Sequence, residues 1–309
     1  MDSKRIVLPG GSGFIGNYIS RYFANKGFEV IVLSRTKTGV FNGIRYVLWD
    51  AASIGEWTQY LEGAYAVINL TGRSINCRFT KKNKKDIIES RIDSVNVLLN
   101  ACKQSIAPPL VFIQASSIGY YGNTTNLCTE NSHAGTDFLA KVCTDWEDCF
   151  MKVSEPVTRK IVLRFGVVLY ENGGAMERML PWVKWYLGGQ HGNGKQQISW
   201  IHLEDLARMF EFVITNPKVE GKYNATSDFP VPNAVFMSIL RKALKKPWAP
   251  PVPAIMVRLT AFLFMRTDAG VLLNGVACTS KRIQNEGFVF KYPGLLQAFQ
   301  SILGLPETV

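Results

Sequence analysis

Cysteine and histidine are scarce in this sequence, which excludes two common classes of small protein site. The 309 residues include six cysteines and three histidines, and no two cysteines are spaced C-x-x-C. A structural zinc site needs four such ligands at close spacing, and a disulfide scaffold needs a far higher density of cysteine. We therefore expect no metal and no disulfide framework, but free thiols in a reducing cytoplasm.

Long apolar runs are also missing. The most apolar late stretch, residues 255–277, is interrupted by Arg258, Arg266 and Asp268, each of which is costly at the centre of a bilayer. This stretch predicts core helices. Near the start, only Ile6 to Leu8 precede a Pro-Gly-Gly turn, which is too short for the apolar core of a signal peptide. We expect no secretion, no membrane partner and a cytoplasmic location.

Acidic residues are outnumbered, although charge is not abundant. The chain has 19% charged and 47% apolar residues, a globular balance that excludes a disordered chain. Its net charge of +11 fits a nucleic acid, a membrane surface or a phosphorylated ligand as partner. The lysine-rich segments at 81–85 and 241–246 lack the module that nucleic-acid-binding proteins carry. We interpret them as solvated helix faces and expect no nucleic-acid partner.

Short apolar runs alternate with helical patterns over the first 170 residues. Strands are predicted at 5–8, 29–33, 45–49, 65–70, 110–115 and 160–169, and helices at 14–26, 84–103 and 139–152. Continuous apolar strands separated by helices are typical of a parallel sheet that is buried on both faces. The pattern predicts an α/β fold with a doubly wound parallel sheet.

The pattern loosens after residue 170, where glycine-rich loops are frequent. We predict a nucleotide-binding domain over 1–170, to which residues 195–230 can return, and a smaller C-terminal substrate-side subdomain over 171–309. Residues 287–292 predict a late strand. Met176, Trp182, Trp185 and Tyr186 form an apolar stripe that either lines a pocket or packs in the core.

A glycine-rich loop follows the first predicted strand and opens the first helix. Its pattern is G-x-x-G-x-x-G, in which glycines permit a tight turn, close approach of a pyrophosphate and packing of the helix on the strand. The helix N-terminus offers free N–H groups to the phosphates. The loop therefore predicts a Rossmann-like dinucleotide site formed by Gly10, Ser12, Gly13, Phe14, Ile15 and Gly16.

The end of the second predicted strand distinguishes between the two nicotinamide dinucleotides. Enzymes that use NAD usually place Asp or Glu there, whereas this sequence has Ser34-Arg35-Thr36-Lys37. The planar guanidinium of Arg35 can hold a 2′-phosphate that a carboxylate would repel. We predict NADP(H) as cofactor, with Ser34 and Arg35 at its phosphate. The alternative is that Arg35 and Lys37 are solvated loop charges.

Four later segments carry a further set of motifs. They are Val67 to Gly72 (VINLTG), Ser116 to Gly122 (SSIGYYG), Leu163 to Val168 (LRFGVV) and Trp200 to Ala207 (WIHLEDLA). Together they resemble the extended, nucleotide-sugar-epimerase-like side of the short-chain dehydrogenase/reductase superfamily. The Tyr120-Tyr121 pair and Asp145-Trp146-Glu147 resemble an atypical subgroup of uncertain activity that has a C-terminal domain of unknown function. The resemblance covers essentially the whole chain.

This resemblance implies roles for particular residues. Ser117 falls where the family has a catalytic Ser or Thr, and Tyr121 lies in the same motif. Arg91 stands where the extended family usually has Asn, so it either contacts the cofactor or an anionic substrate, or packs its stem and reaches solvent. The residues implied to line the cofactor are Asn69, Leu70, Thr71, Gly72, Arg91, Ala115, Ser116 and Arg164.

The usual catalytic pair of the superfamily is missing. Typical members carry Tyr-x-x-x-Lys on the helix after the fifth strand, where a spacing of four puts both side chains on one face. The lysine lowers the pKa of the phenol, which can then exchange a proton. Here those positions are Leu139 and Cys143, or Phe138 and Val142 one residue earlier.

Neither register places a proton carrier opposite a lysine, and we interpret the nearby Asp137 and Lys141 as an ion pair at the helix start. The proton donors that remain are Ser117, Tyr120, Tyr121, Cys143 and His202, of which Ser117 and Tyr121 are best placed by motif.

Two functions fit these patterns. One is an NADP(H)-dependent oxidoreductase or epimerase-like enzyme that acts on a small substrate, sugar-like or anionic, as a monomer or homodimer. The other is a non-catalytic NADP(H)-binding sensor or regulatory protein, which the missing Tyr/Lys pair favours.

Overall fold

The computed structural model describes residues 4–152 and 158–306, so the outermost residues of both predicted domains and residues 153–157 lie outside it. The strands are β1 (Arg5–Pro9), β2 (Glu29–Ser34), β3 (Gly39–Phe41), β4 (Ile44–Leu48), β5 (Ala66–Asn69), β6 (Val111–Ser117), β7 (Thr124–Cys128), β8 (Arg159–Phe165), β9 (Val167–Leu169), β10 (Gln197–Ile198), β11 (Trp200–His202), β12 (Gly221–Ala225), β13 (Val231–Pro232) and β14 (Val276–Cys278). The α-helices are α1 (Phe14–Asn25), α2 (Lys81–Gln104), α3 (Phe138–Lys152), α4 (Gly174–Lys184), α5 (Leu203–Thr215), α6 (Asn233–Ala243), α7 (Ala254–Leu263), α8 (Gly270–Leu273), α9 (Lys281–Asn285) and α10 (Leu295–Ile302).

Eight strands form one large sheet in the order β12-β8-β6-β5-β1-β2-β4-β3. All neighbours are parallel except the β3–β4 hairpin at one edge. The strand order reverses between β1 and β5, which opens a crevice at the carboxyl ends of the strands where α/β proteins bind ligands. The predicted α/β fold with a Rossmann-like doubly wound sheet is confirmed.

Both faces of this sheet are covered by helices, because successive side chains of each strand point to opposite faces. Ile6 and Leu8 pack in one core with Phe23 of α1 and Phe210 of α5. Val7 packs in the other core, which includes side chains of α2 and α3. The two apolar faces explain why the strands have continuous rather than alternating apolar sequences.

A smaller part of the molecule lies beyond the carboxyl ends of the strands. It contains a four-stranded sheet of order β13-β10-β14-β7 and the two-stranded pair β11–β9. A third core joins α4, α6 and α10 through Leu180, Phe236 and Phe299. No helix within 4–152 or 158–306 is both long and apolar enough to cross a bilayer.

Two predicted strands differ from the structure. The run at 160–169 is divided at Gly166, where a Cβ would lie 2.7 Å from the Ser199 carbonyl oxygen, and β9 leaves the large sheet to pair with β11. The strand predicted at 287–292 is wrong. The N–H groups of Lys291 and Tyr292 donate to the Asp205 carboxylate, at 2.7 and 2.8 Å, instead of to a neighbouring strand.

Candidate functional site

The glycine loop joins β1 to α1 under tight steric constraints. Gly10 has φ +76°, and a Cβ there would lie 2.9 Å from the Leu70 carbonyl carbon. A Cβ on Gly16 would lie 2.5 Å from the Cα of Gly11. Gly13 is the N-cap residue and has no side chain to cap the helix, so N–H groups of the first turn are free to bind an anion. The geometry fits the pyrophosphate of a dinucleotide.

The end of β2 leaves one cation available. Ser34 is buried, and its Oγ accepts hydrogen bonds from the backbone N–H groups of Thr36 and Lys37, at 3.4 and 3.2 Å. The Nζ of Lys37 lies 3.9 Å from the centre of the Tyr46 ring, a cation–π contact that occupies its charge. Arg35 is exposed, and no ion pair joins it to an acidic residue in the described chain.

The end of β5 presents a buried hydroxyl without a partner. Asn69 is fully buried, donates to Gln114 at 2.9 Å and accepts from the N–H of Thr71 at 3.0 Å. The Oγ1 of Thr71 has no hydrogen-bond partner among the described residues. Leaving such a group unpaired costs about 1–3 kcal/mol. Because Thr71 also abuts Gly10, a ligand on the glycine loop can satisfy this hydroxyl.

Arg91 reaches from α2 to the loop after β5. Its Cζ would lie 3.0 Å from a Cβ on Gly72, and its Nη1 donates to the carbonyl oxygens of Ile87 and Arg73, both at 3.0 Å. Burial lowers the pKa of Arg91, while nearby Cys143 opposes that shift. The Arg91 guanidinium lies 4.9 Å from the centre of the Trp146 ring, and no carboxylate in the ranges 4–152 and 158–306 neutralises its charge.

Two adjacent serines at the end of β6 have different surroundings. Ser116 is buried and donates to Glu147 at 2.8 Å, so it belongs to the interior. Ser117 lines the cavity described below, and its Oγ accepts from the N–H of Gly119 at 3.1 Å. Because that Oγ acts as an acceptor toward the backbone, its own O–H can donate to a group in the cavity.

Tyr121 and Arg164 are engaged inside the protein. The Tyr121 hydroxyl donates to Asn224 at 2.7 Å and accepts from Arg164 at 2.9 Å. Arg164 also donates two hydrogen bonds to Glu147, at 2.8 and 2.7 Å. Burial raises the pKa of Tyr121 well above its usual value. Neither side chain lines the cavity, and their expected roles at substrate and cofactor remain predictions.

The residues at the positions of the usual catalytic pair are apolar or protonated. A Cβ on Gly119 would lie 3.7 Å from Leu139 and 3.9 Å from the Cys143 sulfur, so both contact the turn after Ser117. Burial raises the pKa of Cys143 to about 12, which keeps the thiol protonated at neutral pH.

The ion pair predicted at the start of α3 is wrong. Lys141 pairs with Asp145 at 2.9 Å, one turn further along the helix. Asp137 instead accepts a hydrogen bond from the N–H of Ala140, at 2.9 Å. Its carboxylate therefore satisfies a backbone N–H group that would otherwise be free at the start of the helix.

His202 caps a helix. Its Nδ1 accepts from the N–H of Glu204 at 3.1 Å, and its ring lies 4.0 Å from the ring of Tyr292. Burial lowers the pKa of His202 to about 4. The side chain does not line the cavity, and its contacts position the start of α5.

This shift predicts a pH-dependent loss of stability. The unfolded chain binds a proton at His202 near pH 6.5 and the folded chain only near pH 4, so stability falls as the pH drops between these values. Between pH 7.5 and 5 we expect a contribution of about 2 kcal/mol. Urea unfolding at both pH values should therefore show a smaller loss for His202→Asn, in which Asn retains the cap. Equal losses would contradict this assignment.

A cavity of about 650 Å³ lies at the carboxyl edge of the sheet. One wall contains Phe14 and Ile15 from the glycine loop, together with Ser117. The opposite wall comes from α4, α7 and the segment 265–272. Of the predicted apolar stripe, Trp182 lines the cavity, whereas Met176 is fully buried in the third core. Trp185 and Tyr186 are exposed and do not line it.

His191 is a cavity residue that the sequence motifs did not indicate. It lines the cavity, and burial lowers its pKa, so it is neutral at neutral pH. The backbone of His191 forms an isolated β-bridge with Val252, which fixes the position of this loop at the cavity. Within the described chain, no cluster of three His, Cys, Asp or Glu residues could hold a metal ion, and all six cysteines are free.

Comparison with known proteins agrees with this geometry. Residues 6–226 match the model of the NAD dependent epimerase/dehydratase family, and residues 252–302 match a domain of unknown function, DUF1731. The chloroplastic epimerase family protein SDR39U1 homolog of Arabidopsis thaliana is 32% identical over 304 residues, which cover 96% of this chain and 86% of that protein.

Two solved structures extend the comparison. The crystal structure of human epimerase family protein SDR39U1 with NADPH has a TM-score of 0.86 and 30% identity, and covers 97% of this chain and 99% of that one. The nucleoside-diphosphate sugar epimerase of Corynebacterium glutamicum has a TM-score of 0.77 and 27% identity, with coverage of 98% and 59%. The glycine loop, the doubly wound sheet and these matches show that the chain belongs to the NAD dependent epimerase/dehydratase family, as its resemblance to the short-chain dehydrogenases/reductases predicted.

Proposed function

We propose that this protein is an NADP(H)-dependent oxidoreductase that reduces a carbonyl group placed against Ser117. The observation that carries the proposal is the cavity, which brings Ser117 together with Phe14 and Ile15 of the glycine loop. The human relative, crystallised with NADPH, supports the choice of cofactor.

The residues that would hold the cofactor surround the carboxyl edge of β1, β2 and β5. The first-turn N–H groups of α1 would bind the pyrophosphate, and Arg35 would bind the 2′-phosphate. The Oγ1 of Thr71, which has no partner among the described residues, and the guanidinium of Arg91, which has no carboxylate partner there, are the polar groups available further along the crevice. Direct contacts from the remaining residues of the predicted set stay predictions.

The cofactor, when bound, supplies a hydride to the carbonyl carbon while the oxygen gains a proton, so that the products are an alcohol and NADP⁺. Ser117 would donate a hydrogen bond to that oxygen and stabilise its developing negative charge. Since Leu139 and Cys143 replace the usual pair, the proton would pass through the Ser117 hydroxyl from water in the cavity.

The proposal is tested by single-turnover oxidation of NADPH. The protein with NADPH bound is mixed with a panel of aldehydes and ketones, and the absorbance of the reduced nicotinamide is followed. We expect at least one carbonyl compound to oxidise the bound NADPH much faster than buffer does. If the protein binds NADPH tightly but no compound oxidises it, the oxidoreductase hypothesis is overturned and the sensor hypothesis is favoured.

Cofactor choice gives a second prediction. Arg35→Ala should weaken NADPH binding by about 10- to 150-fold, since hydrogen bonds to charged groups contribute about 1.5–3 kcal/mol, and should leave NADH binding unchanged. Lys37→Ala is the matched control, because the Lys37 charge is already occupied by Tyr46. Fluorescence titration with both dinucleotides measures the effect. Tighter binding of NADH than NADPH by the wild type would contradict the assignment.

A non-catalytic NADP(H)-binding sensor is the second candidate. One observation favours it: the positions of the missing pair hold a leucine and a buried, protonated thiol, neither of which exchanges a proton at neutral pH. Such a protein would bind NADPH and change its stability or its partners without consuming the cofactor.

A further inference from the structure

The cavity wall that faces the glycine loop is apolar. Its lining includes Met179 and Trp182 from α4, Met256 and Val257 from α7, and Val271 and Leu272 from α8. Apart from the indole N–H of Trp182, these side chains offer contact surface to a ligand but no strong hydrogen-bonding group. A ligand held there is bound by the burial of its own apolar surface.

The charges in this lining are few. Arg178 and His191 are its only ionisable side chains among the described residues, and no carboxylate lines it. Arg178 is exposed, so its charge lies at the rim and remains hydrated. His191 is neutral at neutral pH. The far wall thus lacks a cluster of cations that could replace the water around a diphosphate.

The polar groups available to a sugar are also few. Besides Arg178, His191 and the indole N–H of Trp182, they are Asn76, Ser117, Thr260 and Thr267. The Oγ1 of Thr267 is buried without a partner in the described chain, so it can satisfy one polar substituent. A sugar ring carries several hydroxyls, and each one buried without a partner costs about 1–3 kcal/mol.

The helices of this wall continue as an apolar surface outside the cavity. On α7, Ile255 and Leu259 are 73% and 57% exposed, and Trp185 after α4 is 79% exposed. Large exposed apolar side chains on the helices of the cavity wall favour an apolar molecule over a strongly hydrated one near this wall.

We infer that the substrate is an apolar aldehyde or ketone, held between α4, α7 and α8 with its carbonyl at Ser117, and not a nucleotide-linked sugar. This inference rests on the proposed function, and the reaction is the same: the carbonyl carbon gains a hydride from NADPH and the oxygen gains a proton. It also departs from the sugar-like or anionic substrate expected from the sequence, because the far wall offers fewer polar partners than such a substrate needs.

Binding is tested separately from turnover. The protein saturated with NADP⁺, which cannot reduce a ketone, is titrated with 2-octanone and with UDP-glucose, and binding is followed by ligand-observed NMR. We expect 2-octanone to bind and UDP-glucose to bind more weakly or not at all. Tighter binding of UDP-glucose would overturn the inference.

A matched pair of variants locates the ligand. Met256→Asp places a charge in the cavity wall and should weaken 2-octanone binding about tenfold or more. Leu263→Asp introduces the same charge at an exposed position of the same helix outside the cavity and should leave binding unchanged. If thermal unfolding shows that Met256→Asp does not fold, Trp182→Ala replaces it and should also weaken binding. Unaltered binding in the folded cavity variant contradicts the inference.

The outcomes separate the two proposals. If 2-octanone binds in the cavity but no ketone oxidises NADPH, the oxidoreductase fails while the apolar ligand site stands. If a carbonyl compound oxidises bound NADPH but UDP-glucose binds more tightly than 2-octanone, the oxidoreductase stands while the apolar substrate fails.

Discussion

Glu147→Leu is expected to lower the free energy of unfolding by about 3–5 kcal/mol, because removing one partner leaves a buried charge uncompensated. Glu147 is 0% exposed and Arg164 is 1% exposed. The carboxylate accepts two hydrogen bonds from Arg164 and one from Ser116, and Lys222 lies 3.0 Å away. These groups lower the pKa of Glu147 despite the opposing effect of burial.

Urea unfolding followed by circular dichroism measures this loss. The control is Asp145→Asn on the same helix, which removes the exposed pair with Lys141 and should cost less than about 1 kcal/mol. The double variant Glu147→Leu with Arg164→Met should recover part of the loss, since it removes both charges. A single Glu147→Leu variant as stable as the wild type would show that Arg164 finds another partner.

Ser117→Ala is expected to slow NADPH oxidation by about 10²–10⁴-fold, the range that a positioned proton donor supplies. The affinity for NADPH should stay the same, because the predicted phosphate contacts come from the glycine loop and Arg35. The measurement is the single-turnover rate with the carbonyl compound that the wild type reduces best.

Two controls separate this role from a structural one. Ser117→Thr keeps the hydroxyl and should retain most of the rate. Ser117→Ala also loses the hydrogen bond from the Gly119 N–H, so its thermal unfolding is compared with that of Ser116→Ala, which loses the bond to Glu147 instead. If Ser117→Ala keeps the wild-type rate, the proton comes from elsewhere, and His191 is then another candidate donor in the cavity lining.

The sequence predicted those parts of the fold that local patterns determine. The strands of the nucleotide-binding half are apolar throughout because both faces are covered, so each is recognisable alone. In contrast, β12 has the sequence GKYNA, and β3 is exposed over its whole length. These two became strands only because β8 and β4 offered free backbone groups beside them.

The candidate site divides in the same way. The glycine loop was predictable because its motif lies within seven residues, although the close approach of Leu70 to Gly10 appears only in the fold. The surroundings of Tyr121 were not, because its hydrogen-bond partner Asn224 is 103 residues further along the chain. The position of His191 in the cavity lining was not predictable for a similar reason, because it depends on loop packing that no local sequence pattern indicates.

Asn224 also connects parts of the chain that are synthesised far apart. Its N–H donates to Glu130, its side-chain amide donates to Thr279, and its carbonyl oxygen accepts from Tyr121. It lies on β12, which completes the edge of the large sheet after the chain has left that sheet at β8. A fragment that stops before β12 would present the free edge of β8 to other chains, an arrangement prone to aggregation. We therefore expect the nucleotide-binding half to complete its sheet only when residues 221–225 are present, so that the chain folds as one cooperative unit rather than as two independent ones.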